Sequence, residues 1–207
     1  MQLKKILKKN MELSNMDNIV KKVEEIIKRD SLSYQEQAVD HYDFWGEHIK
    51  YVYNEAIALA EKYKADSEIV RLGALLHDIA LVRKVGDREN HHTNGRIIAE
   101  EILTELKYPE DKKVKVLGCV EHHRSSKNAM NLEELCVADA DILAHFDNIP
   151  MLFHSMFTRK GVSLKDSRDY MRETFKKDFQ DLSEHTKKEF KGRYKEICKT
   201  VLGDEYE

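Results

Sequence analysis

The sequence is short of the residues that bend a chain. Only 8 of its 207 residues are glycine and 2 are proline. That is about one strong breaker per twenty positions, whereas an all-β sandwich or barrel needs a turn every ~8–12 residues. Sheet-rich folds are therefore excluded and long helices are expected. Cysteine is scarce as well. Cys119, Cys136 and Cys198 are odd in number and contain no C-x-x-C pair, which argues against a disulfide framework or zinc ribbon and for a reducing, cytoplasmic setting. No segment approaches the ~18 apolar residues of a membrane span, and the basic start MQLKKILKKN lacks the ~7–15-residue apolar run of a secretory signal. A large positive charge is also missing. Lys and Arg number 35 against 38 Asp and Glu, for a formal net charge of −3, so neither a nucleic-acid partner nor a membrane partner is expected.

What is abundant is charge, 35% of residues against a typical ~25%, arranged with helical period. The length suits one domain with one core. Leu3, Ile6 and Leu7 alternate with lysines in a short basic amphipathic turn. Capping-box spacings at Ser14–Asp17 and Ser33–Glu36 predict two helix starts. Residues 43–63 read as a long helix with Phe44, His48, Val52, Ala56 and Leu59 inward, and Asp66 or Ser67 can cap the next, with Ile69, Leu72, Gly73, Leu76 and Ile79 inward. Residues 92–107 form another through Ile97, Ile98, Ile102, Leu103 and Leu106, and Pro109 opens the one that ends near His123. Leu132 to Phe146 is a further helix, and residues 151–201 are charged helix with Phe175, Phe179, Leu182, Phe190, Tyr194 and Ile197 buried. The expectation is an all-α fold of about eight helices in a single domain.

The ten histidines are unevenly spread: nine fall between His41 and His154, and only His185 lies beyond. His48 sits on an apolar stripe. The pair His77-Asp78 interrupts LGALLHDIALV, the most hydrophobic segment of the chain, where an ionised carboxylate costs several kcal/mol unless it is paired or metal-bound. His91-His92 opens one helix and Glu121-His122-His123 closes the next. Of that last pair His123 shares the face of Val116, Cys119 and Val120, so it points inward more plausibly than His122. Asp139 and Asp141 interrupt a buried helix, with periodicity placing Asp139 on the stripe of Leu135, Cys136, Ile142 and Leu143. Imidazoles and carboxylates converging from several helices suit a divalent transition metal, Fe, Mn, Co, Ni or Zn, better than Ca or Mg, which prefer all-oxygen shells. Cys119, one turn before His123, is a competing thiolate donor, although buried cysteine is ordinarily a small hydrophobe.

Taken in order, these residues resemble the HD-domain superfamily of metal-dependent phosphohydrolases, whose pattern is a His, an adjacent His-Asp and a distal Asp on an all-helical fold. His48 stands in HIKYV, the doublet in ALLHDIA and Asp141 in ADADIL. The resemblance covers residues 35–148. It leaves 1–34 as an N-terminal helical extension and 149–207 as C-terminal helices packing on the same domain, where they either cover the pocket or form a homodimer. The family spacing selects Asp141 over Asp139. Members with two further histidines hold a dinuclear centre, and here His92, in HTNGRIIAEEIL, and His123 take those places, with His91 and His122 as alternatives. The arrangement resembles helical HD hydrolases that cleave dinucleoside tetraphosphates. However, Ala80 and Leu81 replace the glycine and lysine of the cyclic-dinucleotide phosphodiesterases, no Gly-Tyr-Pro segment is present, and DADILAHF is closer to small HD phosphohydrolases of unassigned substrate. The resemblance implies one or two metal ions held by His48, His77, Asp78, His92, His123 and Asp141. Asp78 would be the bridging and catalytic carboxylate, Lys84 and Arg124 would bind substrate phosphate, and the substrate would be a nucleotide or other small phosphate ester. A di-iron oxygenase on the same ligands and a non-catalytic nucleotide-binding regulatory module are the alternatives.

Overall fold

The structure is a computed structural model that describes the backbone of residues 2–203 and the side chains of residues 18–203. Every regular element among them is helical. The two capping boxes do not start separate helices, because one helix, α1 (Gln2–Gln37), runs through both positions. No glycine or proline occurs within it, and propagating an existing helix costs far less than ending and renucleating it. Val20, Val23 and Ile27 form its buried face. The basic turn at Leu3–Leu7 and the side chains of the Ser14 box lie outside the described side chains.

A π-helical turn, Trp45–Ile49, leads directly into α2 (Lys50–Tyr63). Phe44, His48, Val52, Ala56 and Leu59 are all buried, as their spacing predicts. Asp66 caps α3 (Ser67–Leu76) by accepting from the Glu68 and Ile69 amides. The helix then breaks at the His77-Asp78 doublet before the single turn α4 (Ile79–Val82). Next come α5 (His91–Glu105), α6 (Glu110–His122), a 3₁₀ turn at Ser126–Asn128 and α7 (Leu132–Asp147). The charged segment after Met151 divides into α8 (Ile149–Arg159), α9 (Leu164–Asp181) and α10 (Glu184–Leu202), with Ser163 and Ser183 as N-caps of the last two.

The centre of the domain is built by α2 against α7, and by α3 against α2, α6 and α7. Close crossing of α3 and α6 requires Gly73, since a Cβ there would lie 2.5 Å from that of Cys119. The C-terminal helices join the same core through Phe146, whose ring centroid lies 5.0 Å from those of both Phe175 and Phe190. One hydrophobic cluster thus runs from Val20 to Leu202.

Asp139 ties this layer together. Fully buried, it accepts from Ser126 Oγ at 2.5 Å, the Ser183 amide at 2.8 Å, Ser183 Oγ at 2.5 Å and Thr186 Oγ1 at 2.6 Å. The carboxylate also sits against the N-terminal turn of α10, where negative charge is favoured. Its place on the apolar stripe is therefore explained by helix anchoring. Asp139→Ala should cost about 3 kcal/mol, since each stranded buried donor costs ~1–3 kcal/mol. Urea unfolding monitored by circular dichroism would read this, and an unchanged midpoint would contradict it.

Candidate metal centre

The break at the doublet is what lets two adjacent residues reach one site, because neighbours on an unbroken helix do not face the same way. His77 ends α3 and Asp78 takes φ −103°, ψ 16°, so both side chains turn into the interior, where they are 0% and 6% exposed. Asp78 stands between two imidazole pairs. Its Oδ2 is 3.4 Å from His48 Nε2 and 3.7 Å from His77 Nε2. Its Oδ1 is 3.2 Å from His91 Nε2 and 3.8 Å from His123 Nε2. Asp141 completes the first half with Oδ1 at 3.2 Å from His48 Nε2 and 3.7 Å from His77 Nε2. Asn148 steadies this half from the end of α7, since its Nδ2 donates to the Glu47 carbonyl at 2.8 Å, one residue before His48.

The donor chemistry fits metal ions. His77, His91 and His123 lie with Nδ1 at 2.8, 2.6 and 2.7 Å from the carbonyls of Ala74, Arg88 and Val120, respectively. A carbonyl can only accept, so each Nδ1 carries a hydrogen, and Nε2 is the ring nitrogen left to bind a metal ion once it is free of its proton. Within the pairs, His48 and His77 Nε2 are 3.1 Å apart and His91 and His123 Nε2 are 2.9 Å apart. Two metal–nitrogen bonds of ~2.1 Å subtending ~90–109° place their nitrogens ~3.0–3.4 Å apart, close to what is found here. Three ligand groups meet a spacing of 4.8 Å or less: His48–His77–Asp78, Asp78–His91–His123, and His48–Asp141–His145.

One ligand position differs from expectation, and the remaining alternatives fall outside the cluster. His91 joins the cluster and His92 does not. His91, Gly95, Ile98 and Ile102 share the buried face of α5, whereas Ile97 is 53% exposed. Gly95, four residues after His91, packs α5 closely on α6, since a Cβ there would lie 3.3 Å from Val120 Cγ1 and 3.4 Å from the His77 carbonyl oxygen. The helical period itself therefore carried the signal for His91. His122 turns away and pairs with Glu134 at 2.9 Å. Asp139 belongs to the α10 anchor. Cys119 packs on Gly73, and burial pushes its thiol well above the ordinary value, so it remains a neutral hydrophobe. His145, in none of the expected ligand sets, stacks on His48 at 5.7 Å between centroids.

A cleft of about 420 Å³ is lined by His92, His122, Arg124 and Ser125, next in sequence to His91 and His123, and by Lys177 and Asp181 from α9. Arg124 therefore lies where it can meet a ligand. Lys84 does not line the cleft; its Nζ lies 4.6 Å over the Tyr34 ring.

Residues 45–145 match the HD domain family. The fold is similar to that of an HD-superfamily hydrolase from Bacillus thuringiensis, at TM-score 0.65 and 21% identity over 90% of this chain and 94% of that one. It is also similar to a predicted HD superfamily hydrolase from an uncultured Thermotogales bacterium, at TM-score 0.54 and 20% identity over 94% of each chain. No curated protein matches the sequence.

The chain's own charges strain against burial at this centre. Burial pushes the His48 imidazole down, but the Asp141 and Asp78 carboxylates outweigh it and raise its pKa to about 9. Burial, then the neighbouring His77, lowers His123 to about 4. Burial would raise Asp78, but His77, His48 and His91 hold it well below the usual carboxylate range. The sign for stability follows by linkage. His48, raised from 6.5, contributes fully below pH 6.5 and loses that contribution as pH rises through about 9. His123, depressed from 6.5, refuses a proton that the unfolded chain accepts, so stability falls as pH drops from 6.5 towards 4. With a chelator present, the thermal midpoint should therefore peak near pH 6.5. Saturating divalent metal should remove the decline above that pH, because a cation takes over the compensation that the imidazolium provides. A chelated midpoint that climbs steadily to pH 9 would contradict this.

Proposed function

From the match of residues 45–145 to the HD domain family, we propose that this chain is an HD-superfamily, metal-dependent phosphohydrolase acting on a nucleotide or another small phosphate ester. The observation that carries the reading is the position of Asp78, whose two carboxylate oxygens face separate histidine pairs. His48, His77, Asp78 and Asp141 would hold one ion, and His91 and His123 a second with Asp78 shared between them. Mixed imidazole and carboxylate donors favour Fe, Mn, Co, Ni or Zn over Ca or Mg. When bound, such ions supply Lewis acidity towards phosphoryl oxygens and lower the pKa of a water towards ~7.

The protein's own groups then have separable tasks. Asp78 has both oxygens turned to imidazoles, so its part is to join the two halves at a fixed separation. The backbone carbonyls hold the imidazoles of His77, His91 and His123 in the donor tautomer. Of the cleft's acidic groups, Glu121 is paired by Arg96 at 2.9 Å and Asp181 by Lys127 and Lys177 at 2.8 and 2.7 Å. Arg124 donates instead to the Glu89 carbonyl at 2.8 Å, an uncharged partner that leaves its positive charge available to a phosphate. The cleft volume of about 420 Å³ lies within the ~300–1,000 Å³ usual for small-ligand sites. Hydrolysis is also the activity named for both similar structures.

The test is phosphate release from a panel of nucleotides and simple phosphate esters with Mn, Fe, Co, Ni or Mg. Activity is expected with the transition metals, with His77→Ala and Asp78→Ala at background. His91→Ala should lose about one equivalent of metal by elemental analysis while His92→Ala keeps the full complement, reversing the expectation from the sequence motif. Oxygen consumption by the iron-loaded protein without phosphate release would replace hydrolysis by oxygenase chemistry. A protein free of stoichiometric metal whose stability is indifferent to His77→Ala would remove the enzymatic reading altogether.

A further inference from the structure

We propose that His145 is a metal ligand on the Asp141 side of the centre and that Asp178, from the C-terminal helix α9, is its positioning residue. The inference rests on the metal-dependent reading above and adds a ligand to His48, His77, Asp78, His91, His123 and Asp141. Two independent observations support it. First, the ligand atoms of His48, Asp141 and His145 all lie within 4.8 Å of one another, against ~4.2 Å for two donors on opposite sides of one ion with ~2.1 Å bonds. Asp141 and His145 are four residues apart on α7, so one helix face presents both.

The second observation concerns the far side of the ring. A metal-bound histidine characteristically donates its other N–H to a carbonyl or carboxylate, which fixes the tautomer and the ring plane. His77, His91 and His123 do this with main-chain carbonyls. His145 does it with the Asp178 carboxylate, its Nδ1 lying 2.9 Å from Asp178 Oδ2. The Asp178 side chain is 11% exposed and that of His145 26%, so the contact is a part-buried one. His41, by contrast, has an exposed Nδ1 contact to the Gln35 carbonyl and no carboxylate neighbour in the metal groups. His145 thus combines a tied outer nitrogen with a place among inward-facing donors. It also stands at the last residue matched by the HD domain family, and Asp178 lies well beyond that match. The consequence is that α9 contributes to the metal site, rather than only covering the core.

The experiment uses the full chain, stripped of metal and titrated with Co²⁺, read by calorimetry and by the visible ligand-field bands. His145→Gln should weaken one Co²⁺ equivalent about 10–100-fold and shift those bands. Asp178→Asn should weaken the same equivalent about 10–100-fold, the range for losing the outer partner of a ligating histidine. The chelated variants should melt where the chelated parent does, which separates lost ligation from lost folding; if one variant fails this control, the other decides. Unchanged affinity and bands in a folded variant would overturn the inference while leaving the metal-dependent reading standing. No stoichiometric Co²⁺ binding by the parent chain would overturn both.

Discussion

Burying the Asp78 carboxylate is the constraint around which this domain is organised. An unpaired carboxylate at that depth costs several kcal/mol, and the surrounding segment, with Leu75, Leu76 and Ile79 fully buried, offers only His77 at 3.7 Å. Compensation has to arrive from other helices. It comes from the π-helical turn before α2 through His48, from α5 through His91 and from the end of α6 through His123. Each delivery has a local counterpart: the π-helical turn itself, the close packing of α5 on Val120 at Gly95, and the break of α3 at the doublet. π-helical turns often occur at functional sites, and here that turn carries His48.

Much of this was legible in the sequence because two periodicities coincided. The apolar period identified the helices, and the polar residues that violated it, His48, His77, Asp78 and His123, are ones the fold brings together. The same logic misled at Asp139, where a buried carboxylate on the stripe serves the N-terminus of α10. Period alone cannot distinguish a carboxylate that meets imidazoles from one that meets Ser183 and Thr186, since those partners lie 44 and 47 residues away. At His91 and His92 the error had the opposite origin. The motif spacing H-x-x-G favoured His92, while His91, Gly95, Ile98 and Ile102 follow the helical period and are the buried set.

The features that were not legible depend on segments meeting far along the chain. Nothing local distinguishes His145 from an ordinary polar residue near a helix end; its surroundings are set by Asp178, 33 positions later. The continuity of α1 was missed for a different reason. A capping box supplies partners for amides only where the backbone has left the helix, and no glycine or proline between Gln2 and Gln37 makes it leave. Capping residues are therefore permissive, and the breaker count is the stronger evidence for boundaries in a chain this poor in breakers.

The scarcity of loops also accounts for how the imidazoles are oriented. The last carbonyls of a helix have no partner within it. Ala74 and Val120 lie in the final turns of α3 and α6, and the residues that follow those helices, His77 and His123, point Nδ1 back at them. One hydrogen bond thus satisfies a helix end, ends the helix in a defined direction and leaves Nε2 facing the centre. A loop-borne histidine would need a separate partner for each of these functions. With helix termini as the orienting device, the site needs few turns, and the same economy of glycine and proline that fixes the fold class is compatible with a densely constrained centre.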